Sequence, residues 1–196
     1  MKKMFLVLCL TMSFISCDKK EKEENKLITS NGLESSEKKI EEKRIKGDTL
    51  ALSHEILETA LPSSVEGFNA VGKGEGTTTN EEFVSWSVIE KKYRKGNQNL
   101  SISLADYNGA YGLYAGATAL FDNVETIDNA EEKVQGIMLK DGKLKGRESL
   151  KKESREAYLM AGIQDRFLIT IWADNQTDTE LVKQVFGSID LDKLME

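Results

Sequence analysis

The sequence predicts an α+β domain: a mainly antiparallel sheet of about six strands with two or three packed helices. Three observations predict it. Residues 83–104 alternate apolar and polar side chains across a glycine-containing turn. Apolar runs between 134 and 173 follow one another across short turn sequences. Apolar residues recur at helical spacing over 52–61, 110–121 and 177–186.

The domain is expected to begin near Asp48 and to run over 48–196 as one unit. Leu52, Ile56 and Ala60 lie at helical spacing with Leu57 and Leu61 beside them, and Asp48 or Thr49 offers a capping oxygen. Pro62 ends this helix, because the residue before a proline is steered out of the α region. Ser63–Gly76 reads as an extended, glycine-rich connection. Phe83–Tyr93 is rich in β-branched and aromatic residues and predicts a strand. Lys95-Gly96-Asn97 turns the chain, and Leu100, Ile102 and Leu104 alternate with Asn99, Ser101 and Ser103 to bury one face. A helix follows from about Ala110 to Phe121, its apolar side given by Leu113, Tyr114, Ala117, Leu120 and Phe121. Asp122–Ala130 reads as a loop.

Three hairpin links come next. Asp141-Gly142 joins Val134–Leu139 to Leu144–Leu150, since a type I′ turn needs positive φ at both central positions. A turn near Lys152–Ser154 leads to Ala157–Ile163, and Gln164-Asp165 leads to Phe167–Ala173. These last two strands are apolar on both faces and are expected in the middle of the sheet, covered on each side. A final helix starts at Thr177, where Thr177 and Glu180 match a capping box. Leu181, Val182, Val185 and Phe186 form its stripe, Gly187 suits a left-handed end, and Ser188–Leu191 is a closing packing segment.

Ahead of the domain the composition changes twice. Lys2 and Lys3 precede an apolar run from Met4 to Ile15, which is too short to cross a bilayer but fits the core of a secretory leader. Ser16-Cys17 then meets the charged run DKKEKEENK. Residues 18–46 are dominated by Lys and Glu and hold no aromatics, so they bury too little apolar surface to offset their ordering entropy. They read as a flexible stalk with an r.m.s. span of roughly 30 Å. The expected division is therefore 1–16 leader, 17–47 modified N-terminus and stalk, and 48–196 folded domain.

Phe14-Ile15-Ser16-Cys17 resembles the processing site of a bacterial lipoprotein precursor, with Phe14 where Leu is usual. The resemblance implies cleavage before Cys17, a diacylglycerol on its thiol and a stable membrane anchor. Cys9 is then lost with the leader, which leaves no thiol for a disulfide, a metal site or a nucleophile. The domain itself is similar to uncharacterised bacterial lipoprotein domains through its Leu-Pro…Val-Glu-Gly-Phe entry, its Asp-Arg-Phe-Leu-Ile-Thr-Ile strand and its Ser-Ile-Asp-Leu-Asp-Lys-Leu ending. Its layout resembles the fold of the PsbP and Mog1 proteins.

Charge narrows the partners. The net charge of −6 repels phosphate backbones and anionic headgroups, so nucleic acid is excluded as a partner and the lipid must do the holding at the membrane. The expected place is the bacterial envelope, with the Lys- and Asn-rich, single-proline composition favouring the outer membrane. An envelope protein or a small ligand is the expected further partner, and no cofactor or metal is implied.

Candidate chemistry is sparse. His54 is the only histidine, without a second to complete a triad or a metal set. Gly72–Gly76 followed by Thr77-Thr78-Thr79 lacks the Gly-Lys-Ser/Thr ending of a phosphate loop and reads as a mobile loop. Gly112 and Gly116, a helical turn apart, suggest close approach to the sheet. Tyr107, Tyr111 and Tyr114 gather around the Asp106-Tyr107-Asn108-Gly109 turn, with Asp106 and Glu90 as nearby carboxylates and Trp86 and Trp172 as a pocket lining. Tyr107, Tyr111, Tyr114 and Asp106 are thus the expected ligand-binding group. An unassigned, non-catalytic binding module is the leading expectation. An envelope enzyme using carboxylates and tyrosines, or an assembly factor, is the alternative.

Overall fold

The computed structural model describes residues 42, 48–121, 126–140 and 144–194. The leader, Cys17, nearly all of the stalk and the Asp141-Gly142 turn lie outside them. Helix α1 is His54–Thr59, and strands β1 (Ser64–Val65), β2 (Phe68–Ala70), β3 (Glu75–Asn80), β4 (Ser85–Lys95) and β5 (Gln98–Asp106) follow. Helix α2 (Tyr111–Thr118) precedes β6 (Ile127–Asp128), β7 (Glu132–Leu139), β8 (Leu144–Lys151), β9 (Glu156–Ile163) and β10 (Phe167–Ala173). Helix α3 (Glu180–Gly187) and a 3₁₀ turn, Asp192–Leu194, close the described chain.

All the strands belong to one ten-stranded sheet of order β1-β2-β4-β5-β10-β9-β8-β7-β6, with β3 beside β2 on β4. Every pairing is antiparallel. The class is therefore the expected one, but the strand count of about six is too low. Three of the extra strands come from Ser63–Gly76 and its continuation, read as a connection because β1 and β2 are too short to show an alternation and β3 is largely exposed.

β9 and β10 do lie in the middle, as their apolar runs require. One face of the sheet is the core. Across it run Leu100, Ile102 and Leu104 of β5, Ile169 and Ile171 of β10, and Leu159 and Ala161 of β9, all fully buried. Helix α3 sends Val182, Val185 and Phe186 into this face, and α1 adds Leu57. Ile189, Leu191 and Leu194 seal it, and Asp190 N–H donates to Ala60 O to tie the chain end to α1. The opposite face carries Glu90, Ser103, Thr170, Met160 and Arg147 in one row, all half-buried. Its cover is partial, with Tyr114 and Thr118 of α2 lying against Gly162 at one end.

The helix boundaries also shift. Ser53 caps α1, its side chain accepting from Ile56 N–H at 3.5 Å, so neither Asp48 nor Thr49 does so. Helix α3 starts later than Thr177, and Asp178 Oδ1 accepts the Glu180 N–H at 3.0 Å in place of the capping box. Gly187 ends α3 without a left-handed φ. In α2 the side turned inward is Tyr111 and Tyr114, while Leu113 is 56% exposed; the helix ends at Thr118 rather than Phe121, and Leu120 beyond it is 60% exposed. Gly112 and Gly116 have open space where a Cβ would sit, so they do not mark an approach to the sheet.

Candidate functional site

The expected ligand group sits where β5 runs into α2, and the structure divides its members between two tasks. Asp106 closes β5 on the core face, fully buried, opposite Ser87 and Phe167. Arg166 clamps it from the β9–β10 turn: Nε donates to Oδ1 at 2.9 Å and Nη2 to Oδ2 at 2.8 Å. The Asn108 N–H donates to Oδ1 at 2.9 Å, and the Leu52 N–H to Oδ2 at 2.8 Å. A buried carboxylate with four donors, two of them from a fork-on-fork guanidinium, is stable there only because each charge is answered.

Around it the entering chain is fastened residue by residue. Asn108 Nδ2 donates to Asp48 Oδ1 at 2.5 Å and to Leu50 O at 2.9 Å. Ser85 Oγ accepts the Ala51 N–H at 2.7 Å and donates to Asn80 Oδ1 at 2.5 Å. Ser87 Oγ donates to Leu52 O at 2.6 Å. Gly109 fits because a Cβ would strike Thr49 O and the Ser85 backbone. Asp106, Asn108, Ser85 and Ser87 together thus anchor residues 48–52 to the ends of β4 and β5.

The tyrosines gather on the other side of the same turn. Tyr111 and Tyr114 stack at 6.0 Å between centroids, and Tyr107 meets Tyr114 edge-on at 6.5 Å. Burial pushes the Tyr107 hydroxyl above its ordinary value of 10.0. Tyr114 lies against Gly162 of β9, where a Cβ would collide with its hydroxyl. It also borders a cavity of about 340 Å³, shared with Thr118, Phe121, Lys145, Gly162, Gln164 and Asp165. Gln164 and Asp165 form the rim with φ of 52° and 53°, the pair of positive angles that a type I′ turn needs. The volume is at the lower end of small-ligand sites, and its lining mixes aromatic, amide, hydroxyl and charged groups.

Glu90 and Trp172 do not join the tyrosines. Trp172 pairs with Ser101, five positions along β5 from Asp106, which is roughly 17 Å away. Both border a second cavity, of about 260 Å³, with Lys92, Arg94, Asn99 and Val71 around it. Trp86 pairs with Thr79 of β3. His54 opens α1, with Nδ1 at 3.0 Å from Thr78 Oγ1 and Nε2 at 3.3 Å from Glu55. The glycine-rich segment is tied down in part: Gly74 N–H donates to Glu58 Oε1 at 2.9 Å, and Gly76 belongs to β3.

Two charged features escaped the sequence reading. The sequence shows Arg166 only as part of the Asp-Arg-Phe-Leu-Ile-Thr-Ile strand, directly after the Gln164-Asp165 turn, and gives no sign of its clamp on Asp106. Glu148 is only 3% exposed on the core face of β8, accepting from Gln135 Nε2 at 2.5 Å with Lys183 Nζ at 3.8 Å. The Gly146–Glu148–Leu150 alternation places that acid on the inward face and is the pattern that would have found it. Hydrogen bonding to Glu180, opposed by burial and helped by Glu148, raises the Lys183 ammonium above its ordinary 10.5. Among the described residues no cluster of three or more His, Cys, Asp or Glu has the geometry to hold a metal, and no helix is long and apolar enough to cross a membrane.

No family model, no curated protein and no solved structure matches this chain.

Proposed function

We propose that this chain is a lipid-anchored lipoprotein of the cell envelope, held in the outer membrane through Cys17, whose folded domain is a non-catalytic binding or interaction module. The anchor rests on the leader: a basic head, a short apolar run, and Ser16-Cys17 at an abrupt change to charged chain. The binding role rests on one contrast at the β5–α2 turn. Asp106, the carboxylate at the end of β5, is fully committed to Arg166 and to two backbone N–H groups, while Tyr114 borders an open cavity that it shares with Asp165 and other hydrogen-bonding side chains. Such a lining holds a ligand or a partner side chain; it does not pair a nucleophile with a base.

Acyl labelling tests the anchor. Native protein grown with labelled palmitate is expected to carry the label and to fractionate with membranes, and Cys17→Ala is expected to lose both. Identical labelling and fractionation of the two forms would defeat the proposal. Pull-down from solubilised envelope with the lipidated form then tests the module, an envelope component retained by both wild type and Cys17→Ser being the expected result.

A further inference from the structure

The outermost strand beside α1 points to the kind of partner. In the β3–β4 hairpin Glu81 and Val84 exchange both main-chain hydrogen bonds, at 2.8 and 3.3 Å. Antiparallel alternation then turns Glu75, Thr77 and Thr79 toward β4, and Gly76, Thr78 and Asn80 outward. No other strand pairs with β3, so among the described residues three N–H and three C=O groups face away from the sheet along one line.

Native edges of this kind are usually blunted by Lys, by Pro, by a bulge or by being very short. β3 has none of these: its six residues read EGTTTN, with Gly76, Thr77 and Asn80 exposed and no charge between Glu75 and Glu81. The far end of the sheet is guarded differently, where Lys152 Nζ sits 2.7 Å from Asp128 on the two-residue β6. The ends of the β3 edge are acidic. Glu75 stands at one end, exposed and 3.8 Å from Lys92 of β4, and exposed Glu81 and Glu82 stand at the other with no lysine or arginine partner among the described residues, so the acidic excess lies at the Glu81–Glu82 end. Phe83, 68% exposed, and Val84 follow in the same turn and offer an apolar footing. Two copies of β3 paired antiparallel about Thr78 would set Glu75 against Glu81 at both ends, so a second copy is disfavoured.

We propose that the outer edge of β3 receives an extended segment of a partner protein by strand addition, and that this segment is uncharged and β-branched in its middle and basic at its flanks. Main-chain bonds to Gly76, Thr78 and Asn80 supply the pairing, and Glu75, Glu81 and Glu82 select the basic flanks. The proposal rests on the binding-module reading and names the partner's chemistry.

The probe is a synthetic peptide, acetyl-Lys-Val-Thr-Val-Thr-Val-Lys-amide, titrated into the detergent-solubilised full chain at low salt, with a Glu-flanked version as the comparison. The Lys-flanked peptide is expected to bind about five-fold tighter, with the gap closing at high salt and reversing in the Glu81→Lys/Glu82→Lys variant. Amide exchange is expected to be fast at Gly76, Thr78 and Asn80 in the free protein and slowed by the peptide. Thr78→Pro removes an outward N–H and is expected to weaken binding about ten-fold, while Thr78→Val, which gives up the same hydroxyl contacts with His54 but keeps the N–H, is expected to leave it nearly unchanged. No binding, equal binding of both peptides, equal losses in the Pro and Val variants, slow exchange at these three amides before peptide is added, or a dimer formed through this edge would each overturn the proposal. Acyl labelling reads the anchor separately, and envelope pull-down reads the module, so failure of the peptide leaves both of those results standing.

Discussion

Neighbouring residues on β9 experience different surroundings: Leu159 is fully buried against the helices, while Met160, one position on, stays half-exposed. The same division runs across the sheet. The core face is aliphatic over β5, β10 and β9 and is sealed by α1, α3 and the chain end. The opposite face sets Ser103, Thr170 and Glu90 beside Trp172 and Tyr158, with α2 lying over only the Gly162 end. Alternation assigns a residue to a face, whereas cover is decided by which helices come to rest there. The sealed face holds the fold, while the open face, like the outer edge, meets solvent.

The largest effect is expected where a charge lies buried at the end of the core face. Asp106→Ala leaves Arg166 only its longer contact with Asp48, at 4.0 Å, and strips the Leu52 and Asn108 N–H groups of their acceptor, and should cost about 3–5 kcal/mol in denaturant unfolding. A loss below 1 kcal/mol would show that the cluster does not fasten the chain. The direct comparison of faces is Leu159→Ala against Met160→Ala. The first should cost about 2–4 kcal/mol and the second about 1 kcal/mol or less, because only the first leaves a cavity in a sealed core. Equal losses would break the distinction. Gly162→Ala probes the one covered part of the open face. The added methyl meets the Tyr114 hydroxyl and should cost about 1–3 kcal/mol while displacing α2, seen as altered tyrosine near-ultraviolet dichroism.

The smallest effect is a pH dependence confined to the open face. The Ser154 hydroxyl first, then Tyr158, Lys151 and Trp172, hold the Glu156 carboxyl below its ordinary 4.5, against the opposing effect of burial. A depressed carboxyl adds stability above its unfolded value, and that stability is lost as the pH falls through the folded value. Unfolding midpoints measured downward from about pH 6 should therefore drop less steeply in Glu156→Gln than in the wild type. Parallel slopes would remove Glu156 from the account.

The sheet was legible where one face is buried along a whole strand. Leu100, Ile102 and Leu104 announced β5, and the apolar runs of β9 and β10 announced their central place. It was illegible where burial is absent, so β3, with Glu75, Gly76 and Thr77 all exposed, passed as a loop. In α2 the Leu residues suggested the wrong inward side, because Tyr111 and Tyr114 have found better contacts in each other and at Gly162. The site was half legible. Proximity of Tyr107, Tyr111, Tyr114 and Asp106 follows from their spacing, but the engagement of Asp106 depends on Arg166, sixty positions later, and no local pattern contains that.

The fastening of residues 48–52 has a mechanical consequence. Tension arriving along the chain from before Asp48 reaches Asn108, Ser85, Ser87 and Asp106 before it reaches α1. The helix is thereby shielded from the pull, and the strain passes directly into β4 and β5, among the longest strands of the sheet. A domain hung this way can be tugged from its entry point without first peeling away the helix that seals its interior.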